Sequence, residues 1–367
     1  MTATPLNARI RIGDAGEVLA AVPHLLGFTP ADSLVLLGLH TAGDTATFGL
    51  TLRLDLPPPE HRRALVEYVS TGPLVRRGVT GVIVVVTGSG TVEHGPPGDP
   101  PPDRSDPDPA PGDDVDAPQR ELIALLRDGL DEAGIEVLHE LWTDRLEAGG
   151  SWRCYDDPVC GGRIPDPKRT ALGAAMAASG SVTFDSRQEL QRLVAPESEQ
   201  VLARWSARLT GMTEDREREP AGVGVHRDVS IALAGIRRTA AGEALTEDDQ
   251  LRILLALSDH RVRDLCLGVA LGESALAAEQ LWLGLVRKAP EPEVAEVAAL
   301  LAFSAYLRGE GALASVALER VEAGRPEHAL GGLLRRALDT GVSPKEMAEM
   351  AKDAMTDAQL MIEQEES

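Results

Sequence analysis

Hydrophobic positions in the first part of the chain follow strand-like and helix-like patterns in turn. Near-continuous apolar runs at 33–39 and 79–87 predict strands that are covered on both faces. Residues 48–56 alternate between apolar and polar side chains, which predicts a strand with one covered face. Leucines at helical spacing over 118–133 and alternation over 135–143 add a helix and a further strand.

The order of these elements predicts the fold of the N-terminal part. Turn residues at 40–47 join the first two strands into a hairpin, and helices are expected over 14–26 and 59–77. Strand–helix–strand repetition then predicts right-handed crossovers and a mixed, partly parallel sheet. We therefore expect residues 1–165 to form a three-layer α/β domain.

A segment rich in proline, glycine and aspartate interrupts this domain at about 88–117. Such a composition buries too little apolar surface to offset the entropy that is lost on ordering. Because elements of one sheet are predicted on both sides of it, we interpret the segment as a disordered insertion and not as a domain boundary.

Beyond residue 165 the pattern is helical. Residues 166–224 are predicted to be a helical connector that ends in a polar linker at 213–224. From residue 225 onwards helices follow one another with short gaps. Ala295 and Ala329 lie one tetratricopeptide period of about 34 residues apart, with small residues between them where helices must approach closely. We expect residues 225–367 to form an all-α domain of helical hairpins, similar to a tetratricopeptide array. The helices predicted within the connector lie near 167–179, 186–194 and 197–210.

Charge and composition restrict the function classes. The net charge is −22, from 58 acidic and 36 basic residues, so the surface repels phosphate backbones and we expect no nucleic-acid partner. The apolar runs are much shorter than the roughly 18 residues of a membrane span, and polar residues interrupt the N-terminus, so we expect no membrane association and no signal peptide. Three cysteines are too few for a disulfide framework and fit a reducing, cytoplasmic location.

Three segments carry a resemblance to a known family: GFTPADSLVLLGL at 27–39, WRCYDDPVCGGRIP at 152–165, and the helical stretch at 305–344. On these motifs the chain resembles, over nearly its whole length, an actinobacterial family of uncharacterised proteins, domain of unknown function 4192. The resemblance implies the two-part architecture and brings no known activity. It also implies paired cysteines followed by proline in the middle motif, whereas here Cys160 stands alone before two glycines.

One candidate site lies at the carboxyl end of the central strand, where open α/β sheets bind ligands. A phosphate cradle would need a helix directly after the glycines that follow this strand, but the chain runs into the insertion instead. A simple strand-terminating turn is therefore the alternative. The residues of this predicted small-molecule site are Thr87, Gly88, Ser89, Gly90, His139 and Trp152.

Cys154, Cys160 and His139 are weak candidates for metal ligands. Structural zinc sites favour cysteine pairs that are separated by two to four residues, with a second pair elsewhere. The gap here is longer and Cys266 is distant in sequence, so a tight turn with a partly buried thiol, or a redox pair, remains open. We expect no metal and no cofactor.

A second candidate surface lies in the helical part, where Trp282, Tyr306 and Arg308 are predicted to line a concave face that holds a peptide; packing between helices is the alternative. Asp259 is expected to cap a helix and to pair with Arg263. Two functions stay open: a protein- or peptide-binding adaptor that uses the helical part, and an enzyme or small-molecule sensor that uses the sheet edge.

Overall fold

A computed structural model shows how the chain folds. It describes residues 14–42, 45–88, 117–178, 181–218 and 224–365. These residues divide into two compact units, and the border lies between Arg187 and Gln188. Residues 89–116, which make up nearly all of the predicted insertion, lie outside the described residues.

A mixed sheet forms the centre of the first unit. Its strands follow the order β2-β1-β3-β4-β5-β6, and the β3–β4 pair is parallel whereas the other neighbouring pairs are antiparallel. The predicted mixed, partly parallel sheet is thereby confirmed. The strand bounds are β1 Ser33–Ala42, β2 Thr45–Asp55, β3 Gly81–Thr87, β4 Glu136–Thr143, β5 Ser151–Cys154 and β6 Gly161–Arg163.

Helices cover both faces of this sheet. The bounds in this unit are α1 Ala15–Leu26, α2 Arg62–Thr71, α3 Pro73–Arg76, α4 Arg120–Glu132 and α5 Ala171–Ala178, with short 3-10 helices at Pro59–His61 and Pro167–Arg169. One core joins the sheet to α2, α3 and α4, and the other joins it to α1. The single helix predicted over 59–77 is divided at Gly72, because Pro73 has no N–H group and begins a new helix.

The two central strands explain why both faces are apolar. In β1, Leu34 and Leu36 enter the core beneath α2 and α4, whereas Val35 and Leu37 enter the core beneath α1. Every residue of β3 is buried. An uninterrupted apolar run therefore indicates a strand between two helical layers, as predicted.

The hairpin of β5 and β6 is absent from the sequence prediction. Its second strand spans only Gly161–Arg163, and glycine has low strand propensity, so no alternating pattern marks it. The hairpin extends the sheet because β5 pairs with the end of β4, where Leu141 faces Cys154.

The second unit is helical. The bounds are α6 Arg187–Arg192, whose first residue precedes the border, α7 Glu199–Glu217, α8 Gly224–Ala240, α9 Glu247–Leu257, α10 His260–Val269, α11 Ala275–Val286, α12 Val294–Leu307, α13 Gly311–Gly324, α14 Ala329–Asp339 and α15 Pro344–Glu365. The helical character predicted for this region is confirmed.

The polar stretch that was predicted to be a linker at 213–224 begins inside α7, which continues to Glu217. α7 packs against α9, and Arg208 of α7 pairs with Glu247 and Asp248 at the start of α9. Trp205 of α7 is 1% exposed. The helix therefore belongs to the helical unit, and the charged residues near its end form a solvated helix face. Residues 219–223 of the predicted linker lie outside the described residues.

The helical unit is arranged around α12, in which every residue from Val294 to Tyr306 is buried. α12 and α13 form a closely packed hairpin, as the small residues in this stretch predict. However, α15 packs against α10, which lies far from it in sequence. In an open stack each hairpin contacts only its neighbours, so this contact is additional to such stacking, and the tetratricopeptide-like array stays a prediction.

Among the residues that the structure describes, no helix is long and apolar enough to cross a membrane.

Candidate functional site

The carboxyl edge of the sheet is closed by internal hydrogen bonds. Thr87 is fully buried, and its hydroxyl accepts a hydrogen bond from the backbone N–H of Ser33 at 3.1 Å and donates to the carbonyl of the same residue at 3.4 Å. Thr143 is also fully buried, and its hydroxyl lies 2.9 Å from the carbonyl of Ser151 and 3.0 Å from that of Arg145. These hydroxyls join strands and are not available to a ligand.

Gly88 completes this closure. Its carbonyl accepts a hydrogen bond from the indole of Trp142 at 2.9 Å, and its N–H donates to Thr143. Its φ is +99°, and a Cβ atom would lie 2.1 Å from a carboxylate oxygen of Asp32. Glycine is therefore required by the turn itself, which matches the alternative of a strand-terminating turn.

The described members of the predicted small-molecule site do not meet. His139 is exposed on β4, about 13 Å along the strand from its end at Thr143. Trp152 is buried in the core beneath α1, and its indole N–H has no hydrogen-bond partner within the described residues. Ser89 and Gly90 lie outside those residues. Thr87 and Trp152 lie at the same end of the sheet, two strands apart, because Thr143 pairs with both of them, whereas His139 lies apart from this end.

The candidate metal ligands do not form a metal site within the described residues. Cys154 and Cys160 are joined by a disulfide, with Cα atoms 5.4 Å apart, which excludes the free thiol of the tight-turn alternative and leaves the redox pair open. Across the described ranges no group of three or more His, Cys, Asp or Glu side chains is placed to hold a metal ion. Cys266 is buried, and this burial raises the pKa of its thiol to about 12. The predicted cytoplasmic location stays a prediction.

The prediction that Trp282 and Tyr306 line an open groove is wrong. Trp282 is 1% exposed, and Tyr306 is 7% exposed with its hydroxyl donating to the carbonyl of Val342 at 2.6 Å. Arg308 is exposed and pairs with Glu279 at 2.8 Å. Both aromatic side chains therefore pack between helices: Trp282 lies on α11, which packs against α8 and α12, and Tyr306 is held by the end of α14 and the loop that follows it.

A buried charge cluster stands at the centre of the helical unit. Glu296 of α12 pairs with Arg325 at 2.7 Å, with Arg263 at 3.1 Å and with His328 Nε2 at 3.0 Å. Burial alone would raise the pKa of Glu296, but the hydrogen bond from His328 and the charge and hydrogen bond of Arg263 lower this pKa to about 2. The expected pairing of Arg263 with Asp259 is wrong, since Arg263 bonds Asp264 and Glu296 instead.

This cluster is structural. His328 Nδ1 accepts a hydrogen bond from the N–H of Gly331 at 2.9 Å, so the ring proton lies on Nε2 and is donated to Glu296. Both ring nitrogens are occupied and the side chain is buried. His328 is consequently not placed to exchange protons with a substrate, and the cluster joins α10, α12 and α14.

The helical unit also contains an open cavity of about 900 Å³, which we call the α10 cavity. It lies where α7 and α9 end and α10 begins, and the far end of α15 closes one side. Its lining residues are Thr213, Arg216, Leu255, Ser258, Asp259, His260, Arg261, Glu293, Met361 and Gln364.

Charges of both signs are fixed around this cavity. Arg216 is held by the buried carboxylate of Asp228 and by the carbonyl of Leu255. Asp259 caps α10 as predicted and bonds the guanidinium of Arg261. Burial opposes ionisation of Asp259, but its side-chain and backbone hydrogen bonds from Arg261 lower its pKa. These groups can recognise a ligand through charge and hydrogen bonds, and they include no nucleophile that is paired with a base.

Sequence reasoning did not identify this cavity. Its lining comes from positions as distant as Thr213 and Gln364, and only the packing of α15 on α10 brings them together. The single available signal was the group of charged residues at 259–264, which was interpreted as helix capping. That interpretation is correct for Asp259, but capping does not reveal a neighbouring cavity.

Comparison with known proteins identifies a family for this chain. A family model described as Domain of unknown function (DUF4192) matches residues 16–345, which include most of both units. No curated protein and no solved structure matches the chain. The chain belongs to this family, the domain of unknown function DUF4192.

Proposed function

We propose that this protein is a binding protein, and that the α10 cavity receives a segment of a partner polypeptide. The observation that carries the proposal is the cavity itself, about 900 Å³ in volume, which is near the upper end of the range for ligand sites. Its open form suits a chain segment that enters and leaves better than it suits an enclosed metabolite.

The lining favours a peptide that carries both charged and apolar side chains. Arg216, His260 and Arg261 offer positive or hydrogen-bonding groups, whereas Asp259 and Glu293 offer carboxylates. Met361 adds a flexible apolar contact that is 49% exposed. The buried Asp228 holds Arg216 in place before a partner arrives, which lowers the entropy cost of binding.

An enzyme at the sheet edge has less support. The hydroxyls of Thr87 and Thr143 are engaged with the backbone, and His139 lies away from the strand ends. Within the described part of this edge, titratable groups do not converge on one point, which an active site requires.

Two neighbouring residues of α15 provide a matched test. Met361 and Leu360 are 49% and 50% exposed, but only Met361 lines the cavity. Full-length protein, Met361→Glu and Leu360→Glu are each used for affinity purification from the native host, and the recovered proteins are quantified by mass spectrometry. A partner that is recovered with the original protein and with Leu360→Glu, but is reduced about tenfold with Met361→Glu, supports the proposal. Equal recovery with all three proteins contradicts it.

A further inference from the structure

A second, smaller cavity lies elsewhere in the helical unit. It measures about 320 Å³, at the small end of the range for ligand sites. α7 forms one wall through Leu202 and Ala203, and α13 forms another through Arg320. Pro196, Pro290 and Glu291 complete most of the lining. This cavity shares no lining residue with the α10 cavity. A proposal about one cavity can therefore be tested independently of a proposal about the other.

Arg320 is the unusual group in this cavity. Its Nε atom is buried and has no hydrogen-bond partner among the described residues, and no described carboxylate lies within ion-pair distance of its guanidinium. By contrast, Arg325 and Arg335 nearby in the chain each pair with a glutamate, at 2.7 Å in both cases. Partial burial lowers the pKa of Arg320, and the charge of Glu291 opposes this shift.

A buried N–H group without a hydrogen-bond partner is costly, and Nε of Arg320 is such a group. A ligand carboxylate would provide that partner through two parallel hydrogen bonds, which is the geometry that arginine favours. The cavity beside it is lined mainly by apolar atoms of Leu202, Ala203 and Pro290, so the group that carries the carboxylate is expected to be apolar and small.

Glu291 adds the second polar feature. It is exposed, its stem lies beside Gly324 one turn along α13 from Arg320, and its charge acts on Arg320 without forming a close pair. A simple carboxylic acid would be repelled by this side chain. A ligand that carries an ammonium group close to its carboxylate would instead be attracted by both residues.

We propose that this cavity binds a free α-amino acid with an apolar side chain. The carboxylate pairs with Arg320, the ammonium group faces Glu291, and the side chain contacts Leu202 and Pro290. The inference does not rest on the binding of a partner polypeptide in the α10 cavity.

Isothermal titration calorimetry on the full-length protein tests this inference with three related probes. Leucine carries both charges, N-acetylleucine lacks the ammonium group, and leucinamide lacks the carboxylate. Leucine is expected to bind at least about tenfold more tightly than either derivative. If leucine does not bind, or if the three probes bind with equal affinity, the proposal is overturned by the original protein alone, and no substituted protein is needed.

Two variants then assign the roles of the residues. Arg320→Gln is expected to lose leucine binding, and Glu291→Gln is expected to make leucine and N-acetylleucine bind with similar affinity. Arg308→Gln, which removes an exposed arginine outside the cavity, is the control and should bind leucine normally. Circular dichroism verifies that each variant is folded. If Arg320→Gln is folded and its affinity for leucine is unchanged, the assignment of Arg320 to the carboxylate is wrong. If Arg320→Gln does not fold, Glu291→Gln provides the test: a preference for leucine over N-acetylleucine that equals that of the original protein overturns the proposal.

Discussion

The carboxylate of Glu296 is buried and is surrounded by cationic and hydrogen-bonding side chains from α10 and from the connection between α13 and α14. Its exposed fraction is 7%, and it contacts Arg263, Arg325 and His328. Buried pairs of this kind are seldom stabilising in comparison with an apolar core, but removal of one member is strongly destabilising because the remaining charge has no partner. The cluster thereby makes the packing of α12 dependent on one ionised side chain.

The pKa of Glu296 predicts how the protein responds to acid. Its pKa is about 2 in the folded protein, compared with 4.5 as the ordinary value, so its contribution is present above pH 4.5 and is lost as the pH falls towards 2. The free energy of unfolding should decrease by about 3 kcal/mol over this window from this group alone. Urea unfolding at a series of pH values measures the decrease.

Glu296→Gln removes the titrating group and should reduce stability near neutral pH by about 3–5 kcal/mol, while it flattens the decrease below pH 4.5. Glu349→Gln, on the exposed face of α15, is the matched control and should retain the original pH profile. The same decrease in Glu296→Gln as in the original protein would show that other carboxylates control acid unfolding.

At the scale of elements, α12 is the helix on which the second unit depends, and Tyr306 shows how its end is fixed. The ring is buried, and its hydroxyl reaches the carbonyls of Val342 and Ala337 at 2.6 and 3.2 Å. Tyr306→Phe keeps the ring but removes the donor to the carbonyl of Val342, whereas the carbonyl of Ala337 keeps its hydrogen bond from the N–H of Val342. We expect a loss of about 1 kcal/mol in unfolding free energy and no change in partner recovery.

Urea unfolding and affinity purification of Tyr306→Phe measure the two effects. Loss of partner recovery without loss of stability would restore Tyr306 as a contact residue. Leu276→Ala, which truncates an exposed side chain in the same unit, is the control for both measurements.

The pattern of apolar residues predicted most elements, and the reasons for its success and failure are physical. β3 was predictable because a strand between two helical layers must be apolar at every position. β6 was not, since its two glycines and one arginine form a strand only through pairing with β5. Likewise, a helical aromatic such as Trp282 has the same local pattern whether it faces a groove or a neighbouring helix.

The sites were predicted less well than the fold for a related reason. A candidate at a strand end depends on which hydroxyls are already bonded, and the bond between Thr87 and Ser33 joins strands that are far apart in sequence. The α10 cavity depends on contact between α10 and α15. Periodicity reports which face of an element is buried, but it does not report which distant element covers that face.

At the scale of the whole molecule, the chain consists of two units with a border between Arg187 and Gln188. The predicted border at 225 would divide α7 from the helices on which it packs. A fragment that begins at Gln188 should therefore unfold cooperatively, because Trp205 stays buried and Arg208 keeps its pairs with Glu247 and Asp248.

A fragment that begins at Gly224 lacks these contacts and should unfold at a lower temperature or without a cooperative transition. Circular dichroism during heating compares the two fragments. Equal melting temperatures would show that α7 contributes little to the stability of the helical unit. The predicted border at 225 would then describe the start of this unit better than the border at Gln188.

The central claim is that a partner polypeptide occupies the α10 cavity. Photo-crosslinking in the native host tests it directly, with a photoreactive amino acid introduced at position 361 in one protein and at position 360 in another. Binding in the cavity predicts a crosslinked partner peptide from position 361 and little or none from position 360. Crosslinks of equal yield from both positions, or none from position 361 when a partner is recovered, would contradict it.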